Sequence, residues 1–188
     1  MLELYPYQKE AGAKVAERFA AGVNRAVIQL PTGMGRTPIL AEMDAMGNTK
    51  GRTLLMVHRQ ELVRQAATTF AEWVRQRKPN ATIGVEMADE RAGDADYVIA
   101  SVQSLSPERL KQFDAKEFGA LYTDECHHST SDSYKQVYNH FDVFNRKDIL
   151  CVGVTATVNR GDGEGLNRVF QEVNTPICEV CDLCSDCV

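Results

Sequence analysis

The chain has 188 residues and a formal net charge of -5, with 44% hydrophobic and 25% charged residues. This apolar content is enough for a folded core and excludes an intrinsically disordered chain. No stretch approaches the roughly 18 apolar residues that cross a bilayer, and the first residues lack a secretory signal. We therefore expect a soluble, intracellular, cytoplasmic protein without membrane contact. The acidic balance argues against a domain that coats duplex DNA with a broad basic face.

Helix-like and strand-like segments alternate along the chain. An amphipathic helix is predicted over residues 7–21, and a short apolar run at 26–30 is typical of a strand buried in a parallel sheet. Helical patterns return at 39–46 and 59–75. Five further strands are predicted, in chain order, at 53–57, 82–85, 97–100, 120–123 and 149–154.

This alternation predicts an α/β fold. Strands separated by helices form βαβ units with right-handed crossovers, which gives a mainly parallel sheet with helices on both faces. Residues 89–96, rich in Asp, Glu, Ala and Gly, are predicted to be an exposed connection. Because ligands bind at the carboxyl ends of strands in such a sheet, the functional residues are expected directly after the strands.

A glycine-containing turn follows the first strand and opens directly into a helix. Its residues are Thr32, Gly33, Met34, Gly35, Arg36, Thr37 and Pro38. Glycines allow successive N–H groups to point at phosphate oxygens, and the helix N-terminus adds a partial positive charge. The Thr37 hydroxyl is placed to ligate Mg²⁺. A plain strand-to-helix turn is the alternative, but the order Gly-x-Gly-basic-Thr after a buried strand favours phosphate binding.

Arg36 stands where a Walker A loop normally has lysine. The compact ammonium of a lysine reaches between the β- and γ-phosphates as a point charge, whereas a guanidinium is wider and planar. We expect nucleotide binding to survive in some degree and hydrolysis to suffer.

An acidic pair, Asp124-Glu125, ends another predicted strand far downstream of the phosphate loop. A carboxylate there can hold Mg²⁺, and its neighbour can orient and deprotonate the attacking water. We therefore predict that Asp124 binds Mg²⁺ and that Glu125 is catalytic, together with Arg36. A solvated turn is one alternative. A zinc site made by Cys126 and the two following histidines is disfavoured, because adjacent residues do not easily converge on one ion.

The order of these motifs resembles that of superfamily 2 helicases with a DExH box, in the branch of the type III restriction subunit and phage helicases. The resemblance runs from about residue 4 to about residue 173. It implies a RecA-like P-loop NTPase domain with ATP and Mg²⁺ as cofactors, which couples ATP hydrolysis to the backbone of single-stranded DNA or RNA. Tyr7 and Gln8 are similar to the Q motif, so Gln8 would contact the adenine edge, although Tyr5 stands where many members have arginine.

The resemblance also implies a nucleic-acid side and a coupling segment. Four residues would contact backbone phosphates rather than bases: Arg59, Ser101, Gln103 and Ser104. Four others would sense the γ-phosphate and pass its presence to the nucleic acid: His127, Thr155, Ala156 and Thr157. Taken singly, Arg59 would be interpreted as a surface charge at a helix N-terminus, and Gln103 with Ser104 as a helix cap, but the order of the motifs favours nucleic-acid contacts.

The predicted domain boundary separates a RecA-like domain at 1–175 from a Cys-rich tail at 176–188. A second RecA-like domain, whose arginine finger is worth about 10³–10⁵ in rate, is not found in this sequence. Either a partner supplies it, or the chain is a fragment of a longer protein, or nucleotide binding serves another use. The four tail cysteines are Cys178, Cys181, Cys184 and Cys187. Zinc or an iron–sulfur cluster is possible there, but the spacing matches neither a zinc knuckle nor a ferredoxin, and free thiols are the preferred interpretation.

Three functions therefore remain open at the level of sequence. The first is a nucleic-acid-dependent ATPase of the helicase or translocase kind, weak as an isolated chain. The second is a catalytically weak module that binds nucleotide and nucleic acid, since Arg36 departs from the motif. The third, a metal or redox protein, depends only on the cysteine tail. Outside these sites, His140 is expected to be structural or solvated.

Overall fold

The computed structural model describes residues 2–45, 47, 49–157 and 165–174 of the chain. Within these ranges seven strands pair in parallel to form one sheet. They are β1 Arg25–Gln29, β2 Arg52–Val57, β3 Ile83–Glu86, β4 Tyr97–Ser101, β5 Phe118–Asp124, β6 Leu150–Thr155 and β7 Glu172–Asn174. Their order across the sheet is β3-β4-β2-β5-β6-β1-β7.

Helices cover both faces of this sheet. They are α1 Pro6–Ala20, α2 Arg36–Ala45, α3 Gln60–Val74, α4 Pro107–Leu110 and α5 Asp132–His140. Alternate residues of β2 enter two separate apolar cores: Leu55 packs with α1, α2 and α3, whereas Leu54 packs with α4 and α5. This alternation follows from the two-residue period of a strand. The predicted α/β fold, a parallel sheet with helices on both faces, is confirmed.

All six predicted strands occur within two residues of their expected bounds. Three elements, β7, α4 and α5, were not predicted. The connection at 89–96 is only partly exposed, so that expectation was too simple: Ala92 is 8% and Ala95 9% exposed, while Asp94 between them faces solvent. The two alanines attach the connection to the sheet.

The carboxyl ends of the central strands meet at one edge of the sheet. Asp124 at the end of β5 lies beside Val154 of β6, and Gln29 at the end of β1 lies beside Thr155. The turns that follow these strands, and the turn after β2, are therefore neighbours. No helix in the described ranges is long and apolar enough to span a membrane.

Candidate active site

The turn between β1 and α2 has the backbone that a phosphate loop requires. Gly33 and Gly35 have φ angles of 84° and 72°, in the left-handed region that glycine adopts at no steric cost. A side chain at Gly35 would also collide with the amide of Gln8. Helix α2 begins at Arg36, so the loop opens directly into a helix N-terminus, and Thr37 and Pro38 lie in its first turn. This geometry presents backbone N–H groups and a partial positive charge to an anion.

Gln8 braces the phosphate loop from α1. Its Nε2 donates to the Met34 carbonyl oxygen at 2.8 Å, and its Oε1 accepts from the Tyr5 backbone N–H at 2.8 Å. The Tyr7 hydroxyl donates to the same Met34 oxygen at 3.3 Å. Gln8 is only 3% exposed, so its amide is used within the protein. The implied contact between Gln8 and an adenine edge stays a prediction.

Replacing Gln8 by Ala is expected to loosen this loop. The substitution leaves the Met34 oxygen and the Tyr5 N–H without their side-chain partner, which costs about 1–3 kcal/mol for a buried group. We expect a lower free energy of unfolding and weaker binding of a fluorescent ATP analogue in the presence of Mg²⁺.

The matched control for Gln8→Ala is Gln136→Ala. The Gln136 Nε2 also donates to a backbone oxygen, that of Leu105 at 2.9 Å, away from the phosphate loop. This control should lose stability without losing affinity for the nucleotide. Equal nucleotide affinity in both variants would show that Gln8 does not shape the loop.

Arg36 joins the phosphate loop to the acidic pair. Its Nη2 donates to Glu125 Oε1 at 2.5 Å, and its Nε lies 3.6 Å from Asp124 Oδ1. Two segments that are 89 positions apart in sequence thus form one site. The third guanidinium nitrogen, Nη1, is buried and has no hydrogen-bond partner among the described residues. A buried, unpartnered cationic donor fits a phosphate oxygen, so these residues suit magnesium-bound ATP.

The two carboxyl groups differ in their electrostatic environment. The hydrogen bond from Arg36 lowers the pKa of Glu125 and outweighs burial, which acts in the opposite direction. Burial raises the pKa of Asp124, although the charge of Arg36 opposes this. Burial would lower the pKa of Arg36 itself, but the hydrogen bond to Glu125 and the two carboxylate charges raise it overall. Glu125 is consequently held as an anion, and Arg36 as a cation.

Glu125 has a strained backbone. Its φ and ψ of 52° and 50° lie in the left-handed region, which costs a non-glycine residue about 1–3 kcal/mol. Its backbone N–H donates to Asp124 Oδ1 at 3.0 Å, which helps to hold the turn. Strain of this kind is concentrated at functional sites, because the surrounding structure must impose it.

The implied coupling residues lie together beside Glu125. His127 Nδ1 is 3.0 Å from Thr155 Oγ1 and 3.3 Å from Glu125 Oε2. The Thr157 N–H donates to Thr155 Oγ1 at 3.2 Å, and the Ala156 oxygen accepts from Gln29 Nε2 at 3.3 Å. The ends of β5 and β6 are therefore connected through His127.

The alternative zinc site around Cys126 finds no support. Among the described residues no group of three or more His, Cys, Asp or Glu side chains is arranged to hold a metal. Cys126 is fully buried against Gly153, and burial raises the pKa of its thiol well above the usual value. A thiol of that kind resists the deprotonation that zinc ligation needs. The four tail cysteines, Cys178, Cys181, Cys184 and Cys187, lie outside the described residues.

Two cavities adjoin at this edge of the sheet. One, of about 500 Å³, has Thr32, Asp124 and Glu125 among its lining residues. The other, of about 540 Å³, has Arg59 and Gln103 among its lining residues. Two of the four residues implied to contact a nucleic-acid backbone thus share one cavity next to the acidic pair.

The other two implied nucleic-acid residues are placed differently. Ser101 is fully buried and Ser104 is 8% exposed, so their side chains are not presented to a strand in solution. Any contact from this turn would use backbone groups. His58, by contrast, lines both cavities and was not predicted as a site residue. Its position directly after β2 and before Arg59 was the available signal.

Comparison with known proteins agrees with this geometry. The family model described as type III restriction enzyme, res subunit, matches residues 1–160. The chain belongs to this family. It is 36% identical over 178 residues to the putative mitochondrial ATP-dependent helicase irc3 of Schizosaccharomyces pombe, and 30% identical over 183 residues to the putative ATP-dependent helicase IRC3 of Saccharomyces cerevisiae. These alignments cover 92% and 90% of this chain but only 29% and 26% of those relatives.

Solved structures confirm the fold of this family member. The UvsW helicase of bacteriophage T4 superposes with a TM-score of 0.71 at 23% identity, over 93% of this chain and 61% of that one. The Hef helicase domain of Pyrococcus furiosus superposes with a TM-score of 0.72 at 19% identity, over 90% of this chain and 37% of that one. Together with the family match and the two helicase relatives, this fold identifies the chain as the N-terminal, RecA-like lobe of a superfamily 2 helicase, as the motifs predicted, and the module alternative is not favoured. It spans less than a third of the length of the two curated relatives.

Proposed function

We propose that the chain binds magnesium-bound ATP between its phosphate loop and Asp124-Glu125, and that it couples hydrolysis to the backbone of a single nucleic-acid strand. The observation that supports this proposal most strongly is the pair of contacts from Arg36 to the two carboxylates. They bring the loop after β1 and the end of β5 into one site, next to the cavity that Arg59 lines.

Each part of the nucleotide site has an assigned role in this proposal. Backbone N–H groups of residues 32–35 would hold the phosphates, and Thr37 with Asp124 would hold Mg²⁺. When bound, the ion neutralises negative charge on the phosphate oxygens. Glu125 would orient a water molecule and accept its proton, and its ionised state, which Arg36 favours, suits the role of a base.

Arg36 also weakens this base. A carboxylate whose pKa is lowered binds a proton less readily. The Arg36 guanidinium that contacts Glu125 is also the group that would bind the phosphates of ATP. ATP binding would draw Arg36 away from Glu125 only in part, because one planar guanidinium would contact both Glu125 and the phosphates. This competition is a physical reason to expect slow hydrolysis.

The second cavity supports the nucleic-acid part of the proposal. Arg59 and Gln103 are exposed side chains that offer a cation and amide donors to phosphate oxygens. Contacts to phosphates carry no sequence information, so either DNA or RNA would bind with little preference for sequence. The adenine contact of Gln8 belongs to the same proposal.

A single lobe does not complete such a site. We propose that residues 1–175 form this lobe, that 176–188 form a tail, and that a second RecA-like lobe supplies an arginine finger from a partner or from further sequence of the same protein. A cytoplasmic location is part of the same expectation. Zinc or an iron–sulfur cluster at the tail remains the less favoured interpretation.

ATP turnover with and without single-stranded oligonucleotides tests the proposal. We expect nucleotide to bind saturably and turnover to rise when oligo-dT or oligo-U is added. Binding of both ligands with near-zero turnover would favour the module instead. Failure to bind nucleotide at all would contradict both interpretations.

A further inference from the structure

Two histidine rings stack between the cavity of Arg59 and the acidic pair. His58 follows β2 and His128 lies in the turn after β5, and their ring centroids are 3.8 Å apart with planes only 13° from parallel. The two turns belong to adjacent strands of the sheet, since β2 pairs with β5. The stack therefore joins the ends of these two strands beyond their last backbone contacts.

The stack continues to the residues around the γ-phosphate position. The His128 ring packs against that of His127, with centroids 4.1 Å apart. His127 in turn contacts Glu125 and Thr155 at 3.3 and 3.0 Å. A series of direct contacts thus runs from His58 to the carboxylate that we propose as the base.

His58 also contacts the cavity in which we propose that nucleic acid binds. It lines both cavities and is the immediate neighbour of Arg59. Its Nδ1 is buried without a hydrogen-bond partner among the described residues. An unsatisfied buried nitrogen is unfavourable, so a group that binds in the adjoining cavity and supplies a partner would favour a changed ring position.

We propose that His58 is a positioning residue that couples the nucleic-acid cavity to Glu125 and His127 through its stack on His128. This inference rests on the function proposed above. A strand held at Arg59 displaces the His58 ring, the stacked His128 and His127 move with it, and the contact of His127 with Glu125 changes. Nucleotide at the acidic pair acts on the strand through the same contacts, because coupling between binding sites is reciprocal.

Binding measurements on the whole chain test this coupling without any need for turnover. The anisotropy of a fluorescent oligo-dT is titrated with protein, with and without a saturating non-hydrolysable ATP analogue and Mg²⁺. We expect nucleotide to change the affinity of the wild type for the oligonucleotide by about fivefold or more, the usual lower range of allosteric coupling. His58→Ala and His128→Ala should each bring this factor within about twofold of one.

Two further substitutions separate stacking from packing. His58→Leu fills the space without offering a planar face, so it should lose the coupling factor, whereas His58→Phe keeps the face and should retain most of it. If the ring served only to fill space, His58→Leu would keep the coupling factor as well as His58→Phe does. Leu62→Ala is the matched control, because Leu62 lines the same two cavities outside the ring stack and its loss should leave the factor unchanged.

The outcomes distinguish this inference from the proposed function. If the wild type binds both ligands but His58→Ala and His58→Leu keep the coupling factor, or if the wild type shows none, the role of His58 is overturned and the proposed ATP site stands. If the wild type binds no nucleotide, the proposed function fails and the inference fails with it. Loss in the Ala and Leu variants with retention in Phe supports the stack.

Discussion

Replacing Glu125 by Gln is expected to lower ATP turnover, measured with single-stranded nucleic acid present, by a factor of about 10²–10⁴, the usual contribution of a general base. The amide has the shape of the carboxylate but cannot accept the proton of the attacking water. Nucleotide affinity should change much less, because loop amides, Thr37 and Asp124 are retained. Turnover by a coupled phosphate-release assay and affinity by a fluorescent ATP analogue are the two measurements.

The control for Glu125→Gln lies at the other end of the same strand. Glu117 directly precedes β5, and its half-exposed carboxylate pairs with Arg52 at 3.2 Å. Exposed ion pairs of this kind contribute little, so Glu117→Gln should leave turnover near that of the wild type. If Glu125→Gln hydrolysed ATP as fast as this control, the assignment of Glu125 as the base would be wrong.

Replacing Arg36 by Lys is expected to raise turnover by about tenfold to 10²-fold, which is at or below the roughly 10²–10³ that one well-placed donor contributes to a transition state. The ammonium is more compact than the guanidinium and reaches the phosphates as a point charge. It also lacks the fork with which Arg36 contacts Asp124 and Glu125 together. Glu125 is then a stronger base, and the phosphates gain a better-placed cation.

Arg77→Lys is the matched control for this change. Arg77 pairs with Glu42 at the surface, away from the acidic pair, so the same substitution should leave turnover unchanged. Full turnover in the wild type that Arg36→Lys does not improve would remove the idea that Arg36 limits hydrolysis. A fall in turnover would show that this loop has adapted to arginine.

The sheet was predictable because its strands have a simple physical signature. Strands buried on both faces are short apolar runs, and β2 and β6 are buried along nearly their whole length. β7 lacks that signature, since Glu-Val-Asn is short and mostly polar. α5 was missed because its buried positions are mainly tyrosines, Tyr134 and Tyr138, within a polar segment.

The candidate site was predictable where a residue type at a given position of the fold, such as glycine in a strand-to-helix turn, has one common role. The glycines of the loop and the carboxylates after β5 were found this way, and the structure brings them together. The use of Gln8 as a brace was not visible, because an amide can serve the protein or a ligand equally well. The stacking of His58 was not predicted, since it depends on a ring from a distant turn, and sequence alone does not tell which rings will stack.

A crystal structure of the chain with Mg²⁺ and a non-hydrolysable ATP analogue is the most direct test of this account. We predict that the triphosphate lies against the backbone of residues 33–37, with the ion between Thr37 and Asp124 and with Glu125 facing the γ-phosphate. Analogue bound elsewhere, or this cleft free of ligand at a concentration that saturates binding in solution, would contradict the central claim.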